Sequence, residues 1–293
     1  MIRLATLAVI AGCLSSACSI DVNGAGVSIV EEKTFAVTGM PELLLRTSDG
    51  SVDVRSWDRN EIQVEIHRRA ATKEEAEALE VTTAQDGNRV VIEARDSGPR
   101  QVIRIGNWVG HSVSFVVRVP RQLTLDATTG DGSISIGDLD GTLALRSGDG
   151  SIRGDRVQGD LSARTGDGSI AITDAAGRVA LDTGDGSVRL SGRVDVLRVH
   201  TGDGSVTLDL LDGSQMAADW SFESGDGSIT ATLPAQFSAE VDAATGDGSI
   251  RVNDATADRG RDEDRGRLRT RLGAGGRTLA ARTGDGSINI RTR

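Results

Sequence analysis

The segment Thr165-Gly166-Asp167-Gly168-Ser169-Ile170, or a near copy of it, recurs with its aspartate at 131, 149, 167, 185 and 203, each step 18 residues long. A repeat of constant length is a strong constraint on a fold, because each unit must stack on the last in the same register. Further copies centre on Asp226, Asp247 and Asp285, at spacings of 23, 21 and 38, and an outlier at Asp49 has Ser48 in place of the first glycine.

The apolar residues keep the same clock. Counted from each aspartate, positions −6, −4, +3 and +5 are apolar in most copies: Val179, Leu181, Val188 and Leu190 around Asp185, and Leu197, Val199, Val206 and Leu208 around Asp203. Gly154 breaks the rule at +5 of Asp149. Alternation with a period of two on either side of a glycine-rich corner reads as two short strands. Glycine suits a corner that needs positive φ, and the aspartate can hydrogen-bond the turn backbone. A second corner, such as Asp174-Ala175-Ala176-Gly177, closes the unit.

Two architectures fit, a parallel β-solenoid with one coil per 18 residues and an antiparallel meander with each corner a hairpin tip. Five copies of constant length favour the solenoid, since a meander tolerates hairpins of varied length. The expected fold is therefore all-β, a parallel, β-helix-like solenoid with a small β-rich N-terminal cap that contains one short helix. Four inward side chains per coil, at about 1.5–3 kcal/mol each when buried, are too few for a coil to stand alone. Composition agrees with so thin a core: aromatics are 2% of 293 residues, with no Tyr.

The chain divides into a leader (1–17), a linker (18–34), a cap segment (35–120) and the repeat region (121–293). In the leader Arg3 precedes the apolar run Leu4 to Ala11, and both cysteines, Cys13 and Cys18, lie nearby. The stretch resembles a bacterial lipoprotein signal, whose cysteine becomes the acylated first residue. Ser15-Ser16-Ala17-Cys18 leaves a leader of ordinary length, and Ile10-Ala11-Gly12-Cys13 matches the motif better but leaves a short one. Cys18 is preferred, with Cys13 the alternative; an ordinary secretory leader with incidental cysteines is the third reading. No later apolar run is long enough for a membrane helix. This places the protein in the cell envelope, anchored to a membrane by lipid and facing periplasm or cell surface.

In the cap, Glu61 to His67 alternates as a strand. Thr72 and Glu75 form a capping box for a helix through Glu80, and Val90–Glu93 and Val113–Val119 read as strands. Near the C-terminus residues 258–272 are dense in Arg and acid; such charges cannot enter a thin core, so a projecting loop is expected.

Ser51-Val52-Asp53-Val54-Arg55-Ser56-Trp57-Asp58, followed by strand, helix and strand, is similar to the opening of a bacterial putative-adhesin family of β-strand-repeat domains of unknown function. Val117-Arg118-Val119-Pro120, leading into Leu123-Thr124-Leu125 and the glycine-rich repeats, also matches its pattern. The resemblance covers roughly residues 35 to 293. It implies a β-solenoid-like fold on exported or membrane-attached proteins and brings no catalytic residues.

The formal net charge of −10 makes nucleic acid a poor partner. Three histidines, His67, His111 and His200, have no ligand-like spacing, and with lysine only at 33 and 73 there is no phosphate loop. The partners expected are the membrane, through the lipid, and an envelope or extracellular macromolecule. A carbohydrate-active enzyme is the alternative from another class, disfavoured because its acids would be singular rather than repeated. The candidate site is the stacked row Asp131, Asp149, Asp167, Asp185 and Asp203. Each carboxylate either accepts backbone N–H bonds at its corner or shares divalent cations, calcium above all, with its neighbours. Thr165, Ser169 and their equivalents should form parallel hydroxyl rows. No cofactor beyond such a cation is called for.

Overall fold

The computed structural model describes residues 18–23, 26–95, 110–252 and 266–293; strands are its dominant element, with one short helix. The chain opens with β1 (Cys18–Asn23), β2 (Gly26–Ala36), β3 (Glu42–Thr47), β4 (Val52–Trp57) and β5 (Glu61–Ala70). Helix α1 (Lys73–Glu77), β6 (Glu80–Asp86), β7 (Arg89–Arg95), β8 (Ser112–Pro120) and β9 (Gln122–Thr129) follow. Four strands of 14 residues come next: β10 (Ile134–Ser147), β11 (Ile152–Thr165), β12 (Ile170–Thr183) and β13 (Val188–Thr201). Shorter strands complete the chain: β14 (Val206–Leu210), β15 (Trp220–Ser224), β16 (Ile229–Leu233), β17 (Ala239–Thr245), β18 (Ile250–Val252), β19 (Arg267–Leu272), β20 (Thr278–Thr283) and β21 (Ile288–Thr292).

β10, β11 and β12 pair in parallel with partners one repeat apart, Ile134 on Ile152 on Ile170. The pairing selects the solenoid over the meander. Each coil has one face before its Gly-Asp-Gly corner and one after it, with the −6, −4, +3 and +5 side chains turned inward. Val179, Leu181, Val188 and Leu190 are each 3% exposed or less. A fifth inward residue per coil, unforeseen in the repeat pattern, lies at the second corner: Leu139, Val157, Ala175 and Val194 are all buried. Where Gly154 interrupts the apolar clock, a Cβ would meet Ile172 Cδ1 at 3.0 Å and Val157 Cγ2 at 3.3 Å, so neighbours already fill that place.

The corners differ from expectation in a way that explains the glycines. The strand runs on through the second corner, and positive φ falls there, at Asp138 (58°), Arg156 (51°) and Asp174 (53°) and at Gly141, Gly159 and Gly177. No glycine of the Gly-Asp-Gly corners of Asp131 to Asp203 has positive φ. They are glycine because the coils touch: a Cβ on Gly168 would lie 2.2 Å from the carbonyl oxygen of Gly150, and one on Gly186 2.1 Å from that of Gly168. Close approach of backbone, rather than turn geometry, excludes a side chain there.

The coils do not all stack in chain order. The last coil, β20 and β21, lies between β15–β16 on one side and β17–β18 on the other, in parallel with both. The order of corners along the solenoid is therefore 49, 131, 149, 167, 185, 203, 226, 285, 247. The N-terminal end has the same device: β3 and β4 lie inside β7 and β8, which come later in the chain.

Antiparallel strands close the ends. β8 carries β5, then β2, then β1, and β7 carries β6. Residues 18–34, expected as a linker, are thus β1 and most of β2. The apolar alternation of Val27, Ile29 and Phe35, all buried, draws β2 into the sheet. Thr72 Oγ1 accepts the Glu75 N–H at 3.2 Å and caps α1, but the helix stops at Glu77, and Glu80 opens β6 instead. At the C-terminal end β19 pairs antiparallel with β17. That corrects the projecting loop for 267–272: Leu272 is buried and the arginines alternate outward, so strand period two solves the charge problem. Residues 258–265 lie outside the described residues.

Candidate functional site

The corner row is built on buried hydroxyls. Residues two before each aspartate, Thr47, Thr129, Ser147, Thr165, Thr183, Thr201, Ser224, Thr245 and Thr283, are all buried. Each reaches back one layer: Thr165 Oγ1 donates to the Gly150 carbonyl at 2.8 Å, and Thr201 Oγ1 to that of Gly186 at 2.9 Å. In most coils the same hydroxyl accepts an N–H from its own corner, as from Gly204 to Thr201 at 3.1 Å. A β-hydroxyl is needed because it must both donate and accept in a space closed to water.

The expected hydroxyl row at Thr165 is therefore present, and it does the corner work assigned to the aspartates. On the Ser169 side it is the backbone carbonyl that links coils, accepting from Ile152 N–H at 3.0 Å. Hydroxyl contact between layers occurs at Ser249 and Ser287, 3.2 Å apart.

Asp131, Asp149, Asp167, Asp185 and Asp203 are all exposed and form one row. A carboxylate oxygen of each lies 3.1–3.7 Å from where a Cβ would sit on the first corner glycine of the next coil. Their carboxylates take no hydrogen bond or ion pair from a described residue, which corrects the expectation that they accept backbone N–H bonds. Among the described residues no group of three or more His, Cys, Asp and Glu is arranged to hold a metal ion.

Elsewhere several stacked positions bring opposite charges together. Arg156 Nη2 donates to Asp138 Oδ2 at 2.8 Å, and Arg164 and Arg178 face Asp182 and Asp160 at 3.4 and 3.5 Å. The Arg156 hydrogen bond holds Asp138 below the usual carboxylate range. Asp242 is likewise held low, first by its hydrogen bond from Arg267 and then by Arg269 and Arg282. The aspartate row is the departure, a line of like charges at the strand spacing of about 4.8 Å.

His67, His111 and His200 each face one carboxylate, of Glu65, Glu75 and Glu223, at 3.4–3.8 Å, and lie apart from one another. Cys18 is the first residue of β1, with Glu31 opposite it on β2; Cys13 lies outside the described residues.

The residues absent from the sequence-level candidates are those of an open groove of about 750 Å³ at the second-corner edge, where the 18-residue clock is broken. It is lined by Asp212, Gln215, Met216, Gln236, Phe237 and Arg277, among others. The lengthened spacings of 23, 21 and 38 were the signal that could have found it.

Fold and site together define a β-solenoid-like repeat protein, nearly all-β, with a filled core and a repeated surface. The Toastrack DUF4097 family model matches residues 40–291, and the chain belongs to that family. Solved structures that the chain matches include a putative adhesin of Bacteroides fragilis NCTC 9343 (13% identity, 90% of this chain and 97% of that one, TM-score 0.40). Others are a putative lipid binding protein of Parabacteroides distasonis ATCC 8503 (12%, 90% and 96%, 0.44) and a putative cell adhesion protein of Clostridium sporogenes ATCC 15579 (12%, 90% and 100%, 0.27). At such scores the likeness carries no argument about this chain. No curated protein matches it in sequence.

Proposed function

We propose that the chain is an exported, lipid-anchored envelope protein whose solenoid is a non-catalytic binding or scaffolding module, adhesin-like in the loose sense. The observation that carries this reading is the repeated surface on a solid core. Side chains from consecutive coils present the same group again and again, an arrangement suited to extended or multivalent contact rather than to a single reacting centre. The three histidines sit apart, and the acids of the corner form a row rather than a pair.

The anchor rests on the leader and on Cys18. Acylation at Cys18 puts the lipid at the first residue of β1, so the cap sheet would sit at the membrane with no spacer. Among the described residues no helix is long and apolar enough to cross a membrane. The test is metabolic labelling of the full chain with palmitate in a bacterial host. Label should survive Cys13→Ser and vanish with Cys18→Ser. Label that survives Cys18→Ser and vanishes with Cys13→Ser moves the anchor, and an unlabelled chain in the soluble fraction overturns it.

A further inference from the structure

We infer that the groove at the second-corner edge binds a neutral oligosaccharide. This rests on the binding-module reading above and names the ligand class for one site of that module.

The groove is built by the connections that break the repeat. β14 leads to β15 through 211–219, β16 to β17 through 234–238, and β19 to β20 through 273–277. Inserting the last coil out of chain order makes the second of these pass over a layer it does not join, and brings the third beside it. Ser238 Oγ accepts the Ala274 N–H at 3.1 Å, and Asp219 Oδ1 accepts that of Thr278 at 2.9 Å, so the loops are tied to each other. In repeat proteins, insertions into the repeat gather on one face, often the binding face.

The floor is apolar and fixed. Phe237 is buried and packs at a tilt against buried Trp220 with ring centroids 5.2 Å apart, and Phe222 lies 6.3 Å from Trp220. Around that floor stand four polar side chains, Asp212, Gln215, Gln236 and Arg277. All four are exposed, and none makes a side-chain hydrogen bond or ion pair with a described residue. On the faces of the central coils, by contrast, Arg146, Arg156, Arg164 and Arg178 each meet an acid of a neighbouring coil.

The chemistry of the rim selects the ligand. One carboxylate and one guanidinium cancel, so no net charge attracts an ion. Two carboxamides, a carboxylate and a guanidinium supply both donors and acceptors, which a hydroxyl-rich ligand requires. The volume lies within the ordinary range for ligand sites, and the groove is open to solvent rather than an enclosed cavity. No stacking ring is exposed, so affinity should be modest.

The test is isothermal titration of the full-length chain with cellohexaose, maltohexaose and chitohexaose, beside a Gln215→Ala/Gln236→Ala variant and an Arg277→Ala variant. We expect saturable binding of at least one hexasaccharide, weakened tenfold or more in both variants, with unchanged melting temperatures as the control for folding. No saturable heat from any of the three at millimolar sugar overturns the proposal, as does binding that both variants retain. Either failure leaves the palmitate result untouched, so loss of this site and loss of the envelope reading are distinguishable.

Discussion

Thr201 is the sharpest point at which to break the solenoid. Its side chain is fully buried, donates to the Gly186 carbonyl at 2.9 Å and accepts the Gly204 N–H at 3.1 Å. Both glycines are buried, so water cannot replace the hydroxyl. Thr201→Val keeps the shape and removes both bonds. An orphaned buried group costs about 1–3 kcal/mol, so two should cost about 2–4 kcal/mol once the hydroxyl's own desolvation is credited back. Thr201→Ser keeps the hydroxyl and loses one methyl, a cost of about 0.8 kcal/mol. The assay is urea unfolding of the three proteins, with amide exchange at Gly204 as the local readout, since long repeat arrays can lose two-state behaviour. Valine should be the worse replacement by at least about 1 kcal/mol, with Gly204 exchanging faster. Serine equal to or worse than valine would refute the reasoning and make the row a matter of methyl packing.

Other perturbations follow from the same geometry. Gly168→Ala forces a Cβ to within 2.2 Å of backbone and should destabilise by about 1–3 kcal/mol, read by thermal melt; a neutral result would mean that the corner backbones are not in close contact. Neighbouring aspartates repel by about 0.9 kcal/mol in water and roughly half that at physiological salt. Asp167→Asn with Asp185→Asn should therefore raise the melting temperature at low salt, less so in 1 M NaCl, and calcium or EDTA should leave the wild-type melt in place. A calcium-dependent rise that the double variant abolishes would establish the row as a cation site instead. Asp242 has a lowered pKa, so its contribution is present above the unfolded carboxylate value near 4 and is lost as pH falls through the folded one. Asp242→Asn should destabilise by on the order of 1 kcal/mol at pH 7, and the gap from wild type should close below about pH 4 in a pH series of melts. Ile288→Ala, in the inserted coil, should speed amide exchange in β17 and β19 as well as β21 while 134–201 stays protected; slow exchange in β17 would contradict the coil order.

Much of this fold was written in the spacing. The 18-residue step, with Val179, Leu181, Val188 and Leu190 on the inward positions, determines a parallel stack because only that stack keeps every copy equivalent. What the pattern could not carry was order. Asp285 follows Asp247 in the chain, yet its coil lies inside, and nothing local to Thr278–Thr292 distinguishes an inner coil from an outer one. The corner glycines were legible as necessary but for another reason, because a close approach between coils involves a residue 18 positions away and is invisible in any window of the turn itself. The aspartate is the invariant letter of the corner, whereas the hydrogen-bonding burden falls on the hydroxyl two residues earlier. Serine replaces threonine there at Ser147 and Ser224, so the position looks less regular. At the candidate groove the repeat logic fails altogether. Gln215, Gln236 and Arg277 stand in three unrelated connections and converge only through the coil insertion.

The most direct test of the account as a whole is to incubate the full-length chain with labelled bacterial envelope polysaccharide and follow both retention on the solid and release of soluble fragments. The account predicts saturable retention with no soluble product over prolonged incubation. Steady release of fragments, abolished by neutralising a single acid such as Asp212, would contradict it and make the protein an enzyme.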